Sequence, residues 1–165
     1  MSEGFDFVLR AALIGVGATA FMDIANIFLE RAFKMRAPDY ALVGRWIGYF
    51  PRGRFAHAAI GKAEPVPGEA AIGWTAHYVI GVGYAFLLLL IVGSDWALQP
   101  SFAPALIVGV ATVAAPFLIM QPAMGAGFAA AKMPQPNVAR ARSLLNHAIF
   151  GVGLYGAALL LAAAW

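Results

Sequence analysis

The sequence predicts an all-α integral membrane four-helix bundle forming a single transmembrane domain over residues 1–165, and three observations lead there. The 165 residues are 62% hydrophobic and 12% charged. A soluble domain is about half apolar and about a quarter charged, so a water-soluble fold is excluded. Apolar residues gather in four runs, 7–28, 71–93, 104–125 and 143–165, each close to the ~20 residues that cross a ~30 Å hydrocarbon core as a helix. Runs two and four also share a phrase, His77-Tyr78-Val79-Ile80-Gly81-Val82-Gly83 against His147-Ala148-Ile149-Phe150-Gly151-Val152-Gly153, which predicts a two-fold internal repeat.

The first run carries Glu3 and Asp6 where a signal peptide has a positive leader, and its apolar character continues past Ala18-Thr19-Ala20, so it is expected to be a retained span. A long loop, 29–70, follows. Within it Asp39 can cap a short amphipathic helix over 39–50, whose Tyr40, Val43, Trp46, Ile47 and Phe50 follow helical spacing and suit the membrane interface. Pro51-Arg52-Gly53-Arg54 ends that helix, and Pro65-Val66-Pro67-Gly68-Glu69 forms a stiff turn into the second span. In the third run Pro116 and Pro122 bracket Gln121 and free backbone carbonyls around it, and Asn137 is the expected N-cap of the fourth. Gly15-Val16-Gly17-Ala18-Thr19 in run one is echoed by Gly109-Val110-Ala111-Thr112 in run three, which extends the repeat to both halves.

Lys and Arg set orientation, because cytoplasmic loops are enriched in them. Ten of the eleven lie in the 29–70 loop or between the third and fourth runs, with Arg10 the exception. The sequence therefore predicts an inner-membrane protein with both loops cytoplasmic and both termini periplasmic. This bias accounts for the calculated pI near 9.5 without any nucleic acid as partner.

Polar groups inside spans are costly, about 2.5–3.5 kcal/mol for a central Asp on insertion scales, and so demand a reason. They are Asp23, Asn26, His77, Gln121, Asn146 and His147. Counted from the outer end of each run (Phe7, Gly93, Pro104 and Trp165), Asp23, His77, Gln121 and His147 lie 16, 16, 17 and 18 residues in, at one depth near the basic side. Stripes Gly15/Thr19/Asp23/Asn26, Gly73/His77/Gly81/Tyr84 and Ser143/His147/Gly151/Tyr155 put these groups on inward faces beside small residues. Two readings follow. The layer is interhelical hydrogen-bond glue, or it is a binding or permeation site for a small solute, a cation or a proton, with Asp23, His77 and His147 as the set for a divalent metal ion. Two histidines on different spans also suit axial ligation of haem b.

A second candidate region is the basic loop, where Arg45, Arg52, Arg54 and His57 suit anionic lipid headgroups or a phosphate-bearing lipid-linked substrate. Other chemistries fall away. Zero cysteines exclude thiolate catalysis and Cys-ligated metals. The G-x-G-x-x-A match at Gly15–Ala20 lies inside an apolar span with no strand–helix–strand unit around it, and no P-loop, H-E-x-x-H or G-x-S-x-G is present.

Tyr40-Ala41-Leu42-Val43-Gly44-Arg45-Trp46, Pro51-Arg52-Gly53-Arg54-Phe55, Pro65-Val66-Pro67-Gly68-Glu69, Gln121-Pro122-Ala123-Met124-Gly125-Ala126-Gly127 and the stretch 142–155 resemble a bacterial family of small four-span inner-membrane proteins catalogued as a domain of unknown function. The resemblance implies a single membrane domain and carries no catalytic residue. Besides the binding or permeation reading, the chain suits a structural or assembly subunit of a larger membrane complex, and its small interior points to a homo-oligomer.

Overall fold

The computed structural model describes residues 2–164. The secondary structure of these residues is helical, without strands, and four helices are long and apolar enough to cross a membrane. Helix α1 is Glu3–Phe33, α2 Tyr40–Gly48, α3 Glu69–Val92, α4 the broken span Phe102–Ala123 and α5 Pro136–Ala164. The predicted spans reappear, with α1 longer at both ends. Ser2 Oγ accepts the Phe5 N–H at its start, Asp6 pairs with Arg10 one turn on at 2.6 Å, and Lys34 closes it in a left-handed conformation at φ 57°. Asp39 caps α2 as expected, its Oδ1 accepting the Ala41 N–H at 3.0 Å.

Two predicted details need correction or qualification. Asn137 does not cap α5. The helix begins at Pro136, whose fixed φ suits the first helical position and whose missing N–H is no loss there, and the Gln135 carbonyl accepts the first bond from Ala139. Asn137 Oδ1 instead accepts from Arg140 Nη1 at 3.0 Å. Trp165, the outer marker used for depth in the fourth run, lies outside the described residues. The prolines of the third run act as their chemistry demands. Regular α-helix runs over Phe102–Ala111, and Pro116–Met120 is a π-helical turn, since a proline removes an N–H donor and crowds the preceding turn.

The chain divides into two compact units. The first gathers the described parts of Met1–Ala37, Tyr78–Thr112 and Asn146–Trp165 and holds the hydrophobic core, including Ile14, Leu88, Leu89, Phe150 and Leu154. Its helices meet at glycines. Gly15 of α1 lies against the backbone of Val82 in α3, and Gly81 of α3 against Thr19 of α1. Gly109 of α4 and Gly151 of α5 face each other in the same manner. Thr19 Oγ1 donates to the Gly15 carbonyl at 2.7 Å, and Thr112 Oγ1 to the Gly109 carbonyl at 2.6 Å. The glycines of runs one and three, Gly15 and Gly109, thus meet the backbones of runs two and four at or beside the repeated glycines Gly81 and Gly151, whereas the threonines differ, Thr19 lying against Gly81 and Thr112 against His147.

The second unit is Pro38–His77 with Val113–Leu145. Here α2 crosses the start of α3 at backbone distance. A side chain on Gly44 would strike Glu69 O, and one on Gly73 would strike Tyr40 O. Residues 57–60 lie along the end of α4, with the His57 N–H donating to Ala123 O at 2.7 Å and the Ile60 N–H to Met124 O at 3.0 Å. Gly125, at φ 93°, makes room for the Ala58 carbonyl, so the Gln121–Gly127 phrase acts as a cradle for this loop.

Candidate functional site

The basic loop is built on α2. Arg45 grips Glu69 through a bidentate pair, Nε to Oε2 at 2.8 Å and Nη2 to Oε1 at 2.7 Å, and donates from Nη1 to Ala63 O at 3.0 Å. Glu69 Oε2 also accepts the Val66 N–H at 2.9 Å, and the hydrogen-bonded Glu69 carboxylate raises the Arg45 pKa above its ordinary value. All three guanidinium nitrogens of Arg45 are therefore engaged within the loop, at 12% side-chain exposure. Of the four residues expected at headgroups, Arg45 is placed as a clamp.

The other three gather around one ring. Tyr49, buried at the end of α2, donates its hydroxyl to Glu64 O at 3.0 Å. Arg52 and Arg54 set their Cζ atoms 5.2 and 5.4 Å from the Tyr49 centroid, within cation–π range. Both side chains are exposed, and among the described residues neither has a carboxylate partner. His57 meets the same ring edge-on at 4.8 Å. It is 5% exposed, and neither ring nitrogen has a hydrogen-bond partner. Burial, and then the charge of Arg54, lower its pKa from the ordinary value, so the ring is held neutral. Beside this cluster run Trp46, Phe50 and Phe55, linked by ring contacts at 5.0 and 5.2 Å and by the Trp46 Nε1–H donating to Phe55 O at 2.8 Å. Phe55 is 59% exposed.

The polar residues of the spans are divided between the two units. In the first, Asp23 Oδ2 accepts from the Tyr78 hydroxyl at 3.0 Å, and Asn26 is buried with its Nδ2 unpartnered. His147 Nδ1 lies 2.8 Å from Thr112 Oγ1. The single hydroxyl proton of Thr112 is already directed at Gly109 O, so hydrogen-bond balance assigns the donor role to His147 Nδ1–H and leaves Nε2 with its lone pair. Asn146 is half-buried next to it. In the second unit His77 stacks on Tyr40 at 3.9 Å with Trp74 edge-on at 5.8 Å, and Gln121 Nε2 donates to Ser143 Oγ at 3.3 Å while its Oε1 is buried without a partner. Among the described residues no group of three or more His, Asp and Glu side chains is gathered as a metal ion requires.

Tyr49, Glu69, Tyr78 and Thr112 are the residues the sequence reading did not single out. Tyr78 meets Asp23 within the first unit through its hydroxyl, a partner that the stripe Gly73/His77/Gly81/Tyr84 does not include. The echo Gly109-Val110-Ala111-Thr112 was the available signal for Thr112.

Beyond geometry, the family described as "Protein of unknown function (DUF2938)" matches residues 12–161. No curated protein and no solved structure matches the chain.

Proposed function

The chain belongs to that family of unknown function, and we propose that it is a multi-pass bacterial inner-membrane protein that binds anionic phospholipid headgroups at its cytoplasmic surface. The observation that carries this reading is the pair of exposed guanidiniums, Arg52 and Arg54, sharing the Tyr49 ring with no carboxylate partner among the described residues, beside the exposed Phe55. Arginine forks match phosphate oxygens, and aromatic rings settle at the headgroup–acyl boundary. The Lys and Arg bias of the 29–70 loop and of the connection between the third and fourth spans supports a cytoplasmic placement of this surface, with the termini periplasmic. Native mass spectrometry of the full chain, released from nanodiscs of phosphatidylcholine with or without phosphatidylglycerol, tests the reading. The wild type retains phosphatidylglycerol preferentially, and the double variant Arg52→Gln/Arg54→Gln loses the preference. Equal retention by the two proteins refutes it.

A second reading, a small polar solute or proton bound within the first unit, is supported by the unpartnered Asn26 Nδ2 and the Nε2 lone pair of His147. One is a buried donor lacking an acceptor, the other an acceptor that the assigned tautomer leaves bare. The same groups also fit the glue role, since Asp23 and His147 already hold Tyr78 and Thr112.

A further inference from the structure

Deepening the headgroup reading, on which it rests, we infer that the Tyr49 cluster selects phosphomonoester headgroups over phosphodiester ones, with His57 taking up a proton from water as the terminal phosphate binds. The two arginines alone do not distinguish these classes, because one fork suffices for the single charge of a diester. A phosphomonoester carries between one and two charges near neutrality, its second pKa being about 6, and offers three terminal oxygens. A third charged donor at the same ring is what such a group needs, and His57 is placed to be that donor.

The placement is fixed by backbone. The His57 N–H is bonded to Ala123 O at 2.7 Å and the Ile60 N–H to Met124 O at 3.0 Å, so the backbone that carries the ring is tied to the end of α4 while the ring meets Tyr49 edge-on at 4.8 Å. Both ring nitrogens are buried and unpartnered, an expensive state for an imidazole that serves only packing. The charge that acts on it is Arg54, which with Arg52 lies over the Tyr49 ring, and the titratable ring it meets is Tyr49, whose proton is committed to Glu64 O. Ala123, Met124 and Gly125 bring no charge from the α4 side. In the free protein, burial and Arg54 hold His57 neutral. A phosphate anion placed between the arginines cancels their field and gives the imidazolium an acceptor, which favours protonation.

The experiment uses the full chain in phosphatidylcholine nanodiscs carrying equal amounts of phosphatidic acid or of phosphatidylglycerol, with inorganic phosphate in the buffer as a separate arm. Affinity is read by lipid retention, and the His57 protonation state by the 15N shifts of its ring. The expected result is about tenfold tighter retention of phosphatidic acid, with the His57 ring becoming protonated only in its presence. His57→Gln equalises the two lipids while retaining both. Equal retention by the wild type, or a His57 spectrum unmoved by phosphatidic acid, overturns the selectivity and leaves the headgroup reading standing. Retention of neither lipid above phosphatidylcholine overturns both. Competition by inorganic phosphate as strong as that of the lipid overturns the lipid as ligand. Because the ring shifts are read in the wild type, a misfolded variant does not decide the outcome.

Discussion

Replacing Gly81 with Ala is expected to destabilise the first unit by an amount that a second substitution relieves. The added methyl would overlap Thr19 Oγ1, whereas its next neighbour, the Thr19 Cβ, is at 3.3 Å, a tight but tolerable contact. Thr19 is fully buried and its hydroxyl is fixed on Gly15 O, so it cannot rotate away freely. Overpacking of this kind costs about 1–3 kcal/mol. Thr19→Ala removes the overlapping oxygen at the expense of one hydrogen bond, about 0.5–1.5 kcal/mol. The double variant should therefore be no worse than Thr19→Ala alone, a coupling of about 1 kcal/mol or more in the cycle. Gly15→Ala provides the contrast. Its methyl would lie 2.5 Å from Val82 Cα and 2.9 Å from Gly81 O, both backbone, so relief requires the helices to separate by about 1 Å and Thr19→Ala does not rescue it. Gly83→Ala meets nothing within 4 Å and is the control, expected to be neutral or stabilising through helix propensity. Unfolding in mixed detergent micelles, followed by circular dichroism, ranks these variants. The reasoning fails if Gly81→Ala behaves like Gly83→Ala, or if Thr19→Ala leaves its cost unchanged.

Two further outcomes can be measured on the same preparation. The His57 pKa is lower in the folded chain than its unfolded value of about 6.5, so the unfolded state binds the proton first. The associated stability is complete above pH about 6.5 and declines as pH falls through that value towards the lower folded pKa. His57→Gln should flatten this acid slope in pH-dependent unfolding, and an unchanged slope would show that the ring is not held neutral by the fold. Asn26→Leu should stabilise the protein by about 1 kcal/mol, because it removes a buried amide with an unpartnered donor. Loss of stability in the same melts would mean that Nδ2 is satisfied in the protein, and would remove the support it lends to a solute site.

The spans were legible because hydropathy over twenty residues overwhelms every other signal, and Asp39 was legible because capping is a local interaction three residues wide. The repeat was visible as a phrase, and its contacts at Gly81 and Gly151 follow from it. The side-chain partners were less accessible. Arg45 and Glu69 are separated by 24 residues, and nothing in a linear reading distinguishes an arginine destined for a carboxylate from one destined for a phosphate. Gly44 and Gly73 contact α3 and α2 through backbone, a juxtaposition that periodicity does not encode. For His57 the loop composition suggested an accessible group at the headgroups, but it is buried in a loop seated where Gly125 admits the Ala58 carbonyl, a feature of a distant segment. Depth counting placed Asp23, His77 and His147 on one level, but counting along axes leaves azimuth undetermined, so the hydroxyl partners, Tyr78 for Asp23 and Thr112 for His147, were not legible.

The Arg45–Glu69 fork has a topological effect. Joined by two hydrogen bonds below 3 Å and backed by the Gly44–Gly73 contact, the ends of the segment between them are fixed to each other as in a macrocycle. Closure entropy is then already spent at the base, and it grows only slowly with the length of chain enclosed. Substitutions or insertions at Arg52, Gly53 and Arg54 are thereby insulated from the helices that carry them. The fork thus turns the tip of the loop into an exchangeable head on a permanent handle, free to vary in sequence without renegotiating the scaffold.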